Sequence, residues 1–527
     1  MRWAQPPENR NQLVLFSTKL DSIIEEGHTV RIIDQLLGRL DWHHLESTYH
    51  GRLGQPPIHP RILCAVILYG LMCRIRASRK LEEALQVRVD FRWLAHGMSI
   101  DHTTLSEFRR KHAEELRQLF VQVVLVGQEM GVVQFKCIGF DGTRIRSNNR
   151  KSGTRTPAEL RQAKQDLQAE FDRLNQKADE EDAQDEEAFG NHGGPDDSSG
   201  ELSSEERQKQ LEQAQERVDA ALAELDKIEH STEKTPTRLP ITDPESRLSK
   251  TKEGGFAPSY TPTTTVDIGG GLIVDQTVIA QSNESGELMS TITQVSEDYG
   301  LDGPVEQALA DGLMATGENL DACETMGVDL YSPVPRAHKG DNPALREDPS
   351  EPVPANEVDS LPMKKVRIKR KQEQRFDKQA FVYDAEADVY WCPAGKSLIH
   401  SSHYETTSAG KKVTRDRYRA DPKACASCLL SPRCLTGQAG YRQIDRGEYD
   451  DAIDRQVAKM KQPDSAQIYS QRRHAGERPF AVIKQLFGAR QFLTRGLSSV
   501  QQEWCWLTTA FNIHRLVGHI RSGVRPP

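Results

Sequence analysis

The chain has 527 residues, of which 36% are hydrophobic and 28% are charged. At about 150 residues per domain, this length predicts several structural units instead of one. The longest apolar run, residues 62–73, is shorter than the roughly 20 residues that a membrane span needs, and no apolar stretch follows the N-terminus as in a secretory signal. Nine cysteines are too few for a disulfide scaffold. The composition therefore argues against a membrane protein, a small secreted module and a fibrous protein.

The net charge of −8 is unevenly distributed along the chain. Residues 157–229 hold 22 Asp and Glu against 8 Lys and Arg, so the remainder of the chain has a net charge of +6. Residues 364–378 alone hold eight basic and two acidic residues. A moderately basic body with one acidic insertion can bind DNA phosphates, although charge blocks are also common on ordinary solvated surfaces.

Residues 1 to about 130 are predicted to be helical. Pro60 stands at the head of the apolar run, where the first turn of a helix accepts proline. Thr104 and Glu107 match a capping box, and apolar residues follow at helical spacing. Several short helices suit a helix-turn-helix type of DNA-binding unit, and they suit an ordinary helical domain equally well.

After residue 131 the pattern changes to strands alternating with helices. Residues 132–146 predict a buried strand that carries Asp141, and a second short element ends at Asp311. The other predicted elements are strands at 260–266, 271–280 and 329–334, a helix at 287–299, a helix through Leu320 and Met326, and helical chain from Tyr469 to about 520. This alternation predicts a mixed α/β core.

Two segments interrupt that core. Residues 157–175 and 203–229 are rich in Ala, Gln, Glu and Leu, and the segment between them is acidic and rich in Gly and Ser. This pattern predicts a helical hairpin whose tip, residues 177–204, is disordered. Residues 335–362 are rich in Pro, Asp and Glu and are predicted to form a loop.

Three acids are candidates for one metal site: Asp141, Asp311 and Glu477. On an α-helix, Arg473, Glu477 and Lys484 would share one face, although a kink at Pro479 would weaken this argument for Lys484. Carboxylates are the ligands that Mg²⁺ prefers, and two such ions roughly 4 Å apart can promote phosphodiester chemistry. Each position alone is more often structural, and spacing alone does not connect them.

Four cysteines form a second constellation, namely Cys392, Cys425, Cys428 and Cys434. One Cys-x-x-Cys pair with two further thiols within a short segment suits a tetrahedral structural Zn²⁺ site. The alternative is that the four thiols are reduced and hold no metal. The other five cysteines lie in apolar surroundings and are predicted to belong to the core.

Several segments resemble those of bacterial insertion-sequence transposases of the DDE class. The three acid motifs of that class are resembled by three segments in chain order: GFDGTRIRSNN, then LADGLMATGENL with GVDLYSPVPR, and then residues 469–484. The last segment resembles its Tyr-Arg-Glu-Lys signature, with six residues between Glu477 and Lys484. The family's N-terminal domain is resembled by YHGRLGQPPIHPRILCAVILYG, and its C-terminal helix by RGLSSVQQEWCWLTTAFNIHRL. The resemblance therefore covers nearly the whole chain in order.

The resemblance implies a fold like that of RNase H and retroviral integrases, with a DDE triad that binds Mg²⁺ or Mn²⁺. It implies these assignments: Asp141, Asp311 and Glu477 for the catalytic, metal-binding triad, and Tyr469, Arg473 and Lys484 for the signature residues near DNA phosphate.

The signature arginine has two candidates. The spacing from Tyr469 favours Arg472, whereas the spacing to Glu477 and the shared helical face favour Arg473. A second departure is that Leu313 and Met314 follow Asp311 and Gly312, where the family often has an aromatic residue.

The predicted fold is an α/β protein with an RNase H-like mixed-sheet catalytic core, an N-terminal helical domain, a helical-hairpin insertion and a cysteine-rich insertion. The predicted boundaries are 1–130 for the N-terminal helical, DNA-binding domain, 131–156 and 236–340 for two parts of the core, 157–235 for the acidic hairpin, 341–440 for a basic linker with the cysteine-rich zinc insert, and 441–527 for the C-terminal helical part with Glu477.

The function that these features predict is that of a DNA transposase, which hydrolyses and transfers DNA strands at terminal inverted repeats. Its cofactors would be Mg²⁺ or Mn²⁺ and a structural Zn²⁺. Its partners would be double-stranded DNA and at least a second copy of the chain, without a membrane, in a cytoplasmic, nucleoid-associated location. The alternatives are a catalytically silent DNA-binding protein or repressor derived from a transposase, and a general metal-dependent nuclease.

Overall fold

The computed structural model describes residues 19–49, 56–149, 153–189, 204–231, 233, 235–250, 254–281, 283–335, 337–338, 340–368, 371–408, 411–435 and 440–525. Helices and several sheets make it a mixed α/β protein. None of the helices in these ranges is long and apolar enough to cross a membrane.

The helices are α1 (Leu20–Ile23), α2 (Thr29–Leu37), α3 (His43–Ser47), α4 (Pro60–Met72), α5 (Ser78–Val87), α6 (Val89–Leu94), α7 (His102–Lys111), α8 (Ala113–Glu129), α9 (Pro157–Phe189), α10 (Ser204–Glu229), α11 (Glu287–Asp298), α12 (Gly317–Met326), α13 (Pro422–Ala426), α14 (Ser431–Cys434), α15 (Asp450–Met460), α16 (Pro463–Ser470), α17 (Arg472–Ala481) and α18 (Leu497–Arg521). A π-helical turn, Val482–Leu486, continues α17.

The strands are β1 (Cys137–Gly142), β2 (Ile145–Arg146), β3 (Thr154–Arg155), β4 (Leu239–Pro240), β5 (Arg247–Lys250), β6 (Phe256–Asp267), β7 (Ile273–Ile279), β8 (Gln307–Leu309), β9 (Asp329–Tyr331), β10 (Met363–Ile368), β11 (Lys371–Phe376), β12 (Val382–Asp384), β13 (Val389–Trp391), β14 (Ser397–Ser408), β15 (Lys411–Ala420) and β16 (Gln443–Gly447).

The N-terminal region is helical, as its sequence predicts. Pro60 occupies the first turn of α4, and the preceding His59 accepts a hydrogen bond from the backbone of Arg61. The predicted capping box is wrong, because α7 begins earlier: Asp101 is its N-cap and accepts from Thr104 N at 2.8 Å.

Helices α2, α4, α7 and α8 share one hydrophobic core with the central sheet and with α18. Helix α18 is buried in its middle part, since residues 504–513, which cover every side of the helix, are all buried. Its Asn512 exchanges two hydrogen bonds, of 2.7 and 2.8 Å, with the backbone of Ile273 in β7. The Arg76–Glu503 ion pair, at 2.5 Å, also joins the N-terminal region to α18. The N-terminal helices are therefore part of the same packed body as the sheet.

The central sheet has the strand order β7-β6-β1-β8-β9. Strands β7, β6 and β1 are antiparallel neighbours, while β1, β8 and β9 run parallel. Helix α11 connects β7 to β8, and α12 connects β8 to β9. Strands β2 and β5 pair with the first half of the long β6.

A helical hairpin leaves this sheet between β3 and β4, which pair at its base. Leu160, Leu225 and Leu239 belong to its own small core, and a Lys164–Asp219 ion pair of 2.7 Å joins the two helices. Helix α9 continues to residue 189, well into the segment predicted to be a disordered tip. The rest of that predicted tip, residues 190–203, lies outside the described residues.

Residues 341–447 have a separate core around Phe376, Tyr390 and Tyr418. The basic segment predicted as a linker is a hairpin of β10 and β11. Strands β12 to β16 form a second sheet in chain order, and β16 extends this unit beyond the predicted boundary at residue 440.

The C-terminal helical prediction is correct only in part. Tyr469 lies near the end of α16, and α17 begins after Gln471. Pro479 lies inside α17 and cannot donate a backbone hydrogen bond, and the helix widens into the π-helical turn soon afterwards. Residues 487–496 are not helical, and Gln491 forms a bridge with Arg146 of β2.

Candidate active site

Asp141 and Asp311 lie at the carboxyl ends of neighbouring parallel strands. The register pairs Cys137 with Gln307 and Gly139 with Leu309, an offset of 170 positions. Asp141 and Asp311 are separated by the same 170 positions, so the register, continued by two residues, sets them side by side. Ligands of open α/β sheets bind at such carboxyl ends.

The two carboxylates affect each other electrostatically. Burial raises the pKa of Asp141, Arg472 lowers it, and the charge of Asp311 raises it further, with a net upward shift. Asp141 Oδ1 accepts from the Gly142 amide at 3.0 Å, and Asp311 Oδ1 accepts from the Leu313 amide at 2.9 Å. Both acids are therefore held by the backbone turn that follows them.

Helix α17 packs directly on β1 because small residues face each other there. A Cβ atom at Gly139 would lie 2.4 Å from the Ala475 Cβ, and one at Gly476 would lie 2.1 Å from Asp141 Oδ2. Glu477 is the next residue and is exposed. The helix thus brings Glu477 to the Asp141 end of the sheet.

Arg472 makes the arginine contact with the acids. Its Nη2 donates to Asp141 Oδ1 at 3.0 Å in an ion pair. Burial raises the pKa of Tyr469, and the neighbouring Arg472 lowers it. Arg473, which the helical face favoured, is exposed. The spacing from Tyr469 therefore indicates the contacting arginine better than the spacing to Glu477 does.

Lys484 reaches the same region from the π-helical turn. Its Nζ donates to the Thr143 hydroxyl and, at 3.0 Å, to the Arg144 carbonyl oxygen. Pro479 therefore does not prevent Lys484 from reaching the end of β1.

Asp141 and Glu477 line one cleft of about 680 Å³, which we call the acid cleft. Its basic lining residues are Arg144, Arg146, Lys250, Lys484 and Arg490. Asp311 is not among the lining residues. A cleft lined by two carboxylates and five cationic side chains suits a polyanion that reacts at the carboxylates.

No three Asp, Glu, His or Cys side chains within the described ranges are close enough together to hold a metal ion. The donor chemistry at the acid cleft nevertheless fits Mg²⁺ or Mn²⁺, because hard cations take carboxylate oxygens. In this conformation the Arg472 guanidinium supplies the positive charge beside Asp141.

Sequence reasoning misjudged one residue near these acids and missed another. The one misjudged is Arg472, because the helical face favoured Arg473 and only the spacing from Tyr469 favoured Arg472. The other is Glu284, a buried carboxylate between β7 and α11, whose pKa is raised by burial and also by the charges of Asp311 and Asp141. An acid just before a helix is a common sequence pattern, so no signal in the sequence marked Glu284.

The four cysteines converge in a cavity of about 30 Å³ in the second sheet unit. Cys392 follows β13, Cys425 is in α13, Cys428 follows that helix and Cys434 ends α14. All four are free thiols. Burial raises the pKa of Cys434 to about 12, Arg442 lowers it, and the other three cysteines raise it.

Comparisons with known families match the two ends of the chain. A family model described as Transposase DDE domain matches residues 391–517, a range that includes the four cysteines, Glu477 and Lys484. A model described as Transposase domain (DUF772) matches residues 18–111, which include helices α1 to α7. No curated protein matches the chain. The two matches together indicate an insertion-sequence transposase of the DDE type.

Proposed function

We propose that the chain cuts DNA at the terminal inverted repeats of its insertion sequence and joins the released ends to target DNA. The observation that carries the proposal is the shared register of β1 and β8, which sets Asp311 beside Asp141, a lining residue of the acid cleft. Helix α17 packs against Asp141 and carries Glu477 to the same cleft. This arrangement supports one active site built from the three acids.

Asp141, Asp311 and Glu477 would hold Mg²⁺ or Mn²⁺. Such ions, when bound, promote attack by a hydroxyl group and stabilise the leaving oxygen of a phosphodiester. Arg472 neutralises Asp141 in the structure described above, and it is well placed to hold a DNA phosphate once it leaves that carboxylate. Lys484 donates hydrogen bonds to Thr143 and Arg144 at the end of β1. It would lie next to the DNA phosphodiester that is cut.

The wider organisation supports the same proposal. The β7-β6-β1-β8-β9 sheet would be the RNase H-like core, interrupted by the α9–α10 hairpin and by the unit at residues 341–447. The N-terminal helices would recognise the terminal repeats. Two ends must be joined together, so the active assembly on DNA would contain at least two copies of the chain.

The first experiment is a cleavage assay on labelled DNA that carries the ends flanking the gene, with and without Mg²⁺. The proposal predicts metal-dependent nicks at the element boundary, followed by joining to a target plasmid. Binding to the DNA ends without nicking would instead support a catalytically silent DNA-binding protein derived from a transposase. Nicking at all positions of unrelated DNA would support a general nuclease.

The walls of the acid cleft should contribute to DNA affinity through phosphate contacts. Lys250 is exposed and lines the cleft. We expect Lys250→Gln to weaken DNA binding similarly for all sequences, and to reduce the slope of log affinity against log salt by about 0.9. Fluorescence anisotropy at several salt concentrations measures both quantities. The control is Lys227→Gln on the exposed face of α10, and an unchanged slope in Lys250→Gln would exclude a phosphate contact there.

The four cysteines, which line one small cavity, would hold a structural Zn²⁺ once their side chains move closer together than in the described conformation, because four thiol donors suit tetrahedral coordination. The ion would join β13, α13 and α14, which are short and have little core of their own. It would thereby stabilise the second sheet unit without taking part in the reaction.

Replacing one thiol tests this zinc site. We expect Cys425→Ser to lose bound zinc and to melt roughly 5–10 °C lower, since losing a bound ligand at 100 times its Kd removes about 2.7 kcal/mol. Elemental analysis of the purified protein and a thermal melt measure the two effects. Cys73→Ser, which changes a half-buried cysteine outside the cluster, is the control. Wild-type protein purified without zinc, with the same melting temperature as the variant, would contradict the assignment.

A further inference from the structure

Glu284 is a buried carboxylate with an oxygen that lacks a partner. Glu284 is 6% exposed, and its Oε2 has no hydrogen-bond partner within the described ranges. It lies in the connection between β7 and α11. A buried carboxylate is unfavourable unless a charge or a hydrogen bond compensates it, so such a residue needs a counter-charge.

The side chain of Glu284 lies against the acid strand. A Cβ atom at Gly142 would be 2.9 Å from Glu284 Oε1 and 3.0 Å from its carboxyl carbon. Gly142 follows Asp141 directly and lines the acid cleft. The lack of a side chain at Gly142 therefore lets the Glu284 carboxylate approach the end of β1.

Three charged side chains act on Glu284, and two of them are proposed metal-binding acids. Asp311 and Asp141 act on it as like charges, and Arg144 acts as an opposite charge. Asp141 lies near the end of β1, and Glu284 and Asp311 lie in the connections that follow β7 and β8. They are brought together by the fold and not by a local sequence motif.

We propose that Glu284 is a fourth carboxylate of the divalent-ion site, alongside Asp141, Asp311 and Glu477. This inference rests on the proposed function, because it assumes that Asp141 and Asp311 bind the ion. A cation there would be a direct partner for Glu284 Oε2, which has no hydrogen-bond partner within the described ranges, and would add to the opposite charge of Arg144.

The test compares Mn²⁺ binding to the full-length chain, without DNA, in wild type and in Glu284→Gln. Isothermal titration calorimetry gives the Kd, and the electron paramagnetic resonance signal of free Mn²⁺ gives the number of bound ions. We expect the variant to bind at least one ion tenfold or more weakly. Glu284→Asp, which keeps the charge but shortens its reach, should lose less affinity.

The matched control is Glu287→Gln, three residues further on. Glu287 is partly buried, and burial is the cause of its raised pKa, without a contribution from neighbouring acids. The Glu287→Gln variant should bind Mn²⁺ like the wild type. Metal-free Glu284→Gln should melt no lower than wild type because it removes a buried charge, and this melt verifies that the variant is folded.

The outcomes distinguish a failure of this inference from a failure of the proposed function on which it rests. If Asp141→Asn loses Mn²⁺ binding but folded Glu284→Gln binds like wild type, the fourth carboxylate is wrong and the three-acid site stands. If wild type binds no Mn²⁺, or Asp141→Asn binds it equally well, the proposed site fails and this inference fails with it. Loss of affinity in Glu284→Gln, with normal binding in Glu287→Gln, supports the inference.

Discussion

Gly476→Ala is expected to reduce cleavage of a matched DNA end by at least about 100-fold, the loss that a displacement of roughly 1 Å can cause. The added Cβ would lie 2.1 Å from Asp141 Oδ2 and 2.9 Å from its Cγ, distances that two packed atoms cannot adopt. Either the Asp141 carboxylate or helix α17 must move. Since Asp141 is held by the Gly142 amide and by Arg472, the movement disturbs these two hydrogen bonds and changes the position of Asp141 relative to Glu477.

The control for this change is another helical glycine. A Cβ atom at Gly518 in α18 would meet nothing within 4 Å, so Gly518→Ala should keep full activity and gain a little helix stability. The cleavage assay and a thermal melt separate a misplaced carboxylate from an unfolded protein. Full cleavage by Gly476→Ala would show that the contact between α17 and β1 is not part of the active site.

Asp311→Asn is expected to abolish end cleavage, by at least about 1,000-fold or ~4 kcal/mol of transition-state stabilisation. The amide has nearly the same shape as the carboxylate but no negative charge, so it holds a hard cation poorly. The backbone hydrogen bond from Leu313 can persist, because the amide oxygen accepts it. End binding and the melting temperature should therefore remain close to those of the wild type.

Asp321→Asn provides the matched control, because Asp321 is an exposed acid in α12, close in sequence and away from the acid cleft. It should cleave at the wild-type rate. A gel-shift assay with the same labelled end shows whether binding survives in each variant. Wild-type cleavage by Asp311→Asn would remove Asp311 from the active site.

The positions of Asp141 and Asp311 near the ends of strands follow from patterns that are visible in the sequence. Each acid ends a short β-prone segment and precedes a glycine, and strands β1 and β8 have nearly the predicted positions. Their alignment in register could not be read, because strand pairing depends on which segments become neighbours. The resemblance to a transposase family supplied that connection.

The choice between Arg472 and Arg473 illustrates a limit of helical-face arguments. Adjacent residues on a helix point about 100° apart, so a single break in the helix changes which one faces the sheet. Here α16 ends near Tyr469 and α17 begins at Arg472. The position of that break depends on packing against β1 and is not visible in the spacing of the charges.

Glu284 and the second sheet unit were missed for different reasons. Glu284 gains its meaning only from the Gly142 contact, which joins segments far apart in the chain. Strands β14 and β15 are rich in Ser, Thr and charged residues, so they lack the apolar alternation that marks a half-buried strand. Their pairing with each other and with β13 and β16 forms the sheet instead.

The position of the bound ion is the measurement that tests the three-acid site most directly. Crystals of the chain with its end DNA and Mn²⁺ can be measured near the manganese absorption edge. We expect an anomalous peak between the carboxylates of Asp141 and Asp311, with Glu477 beside it. An anomalous map with manganese elsewhere in the protein, and none at the end of β1, would contradict the three-acid site.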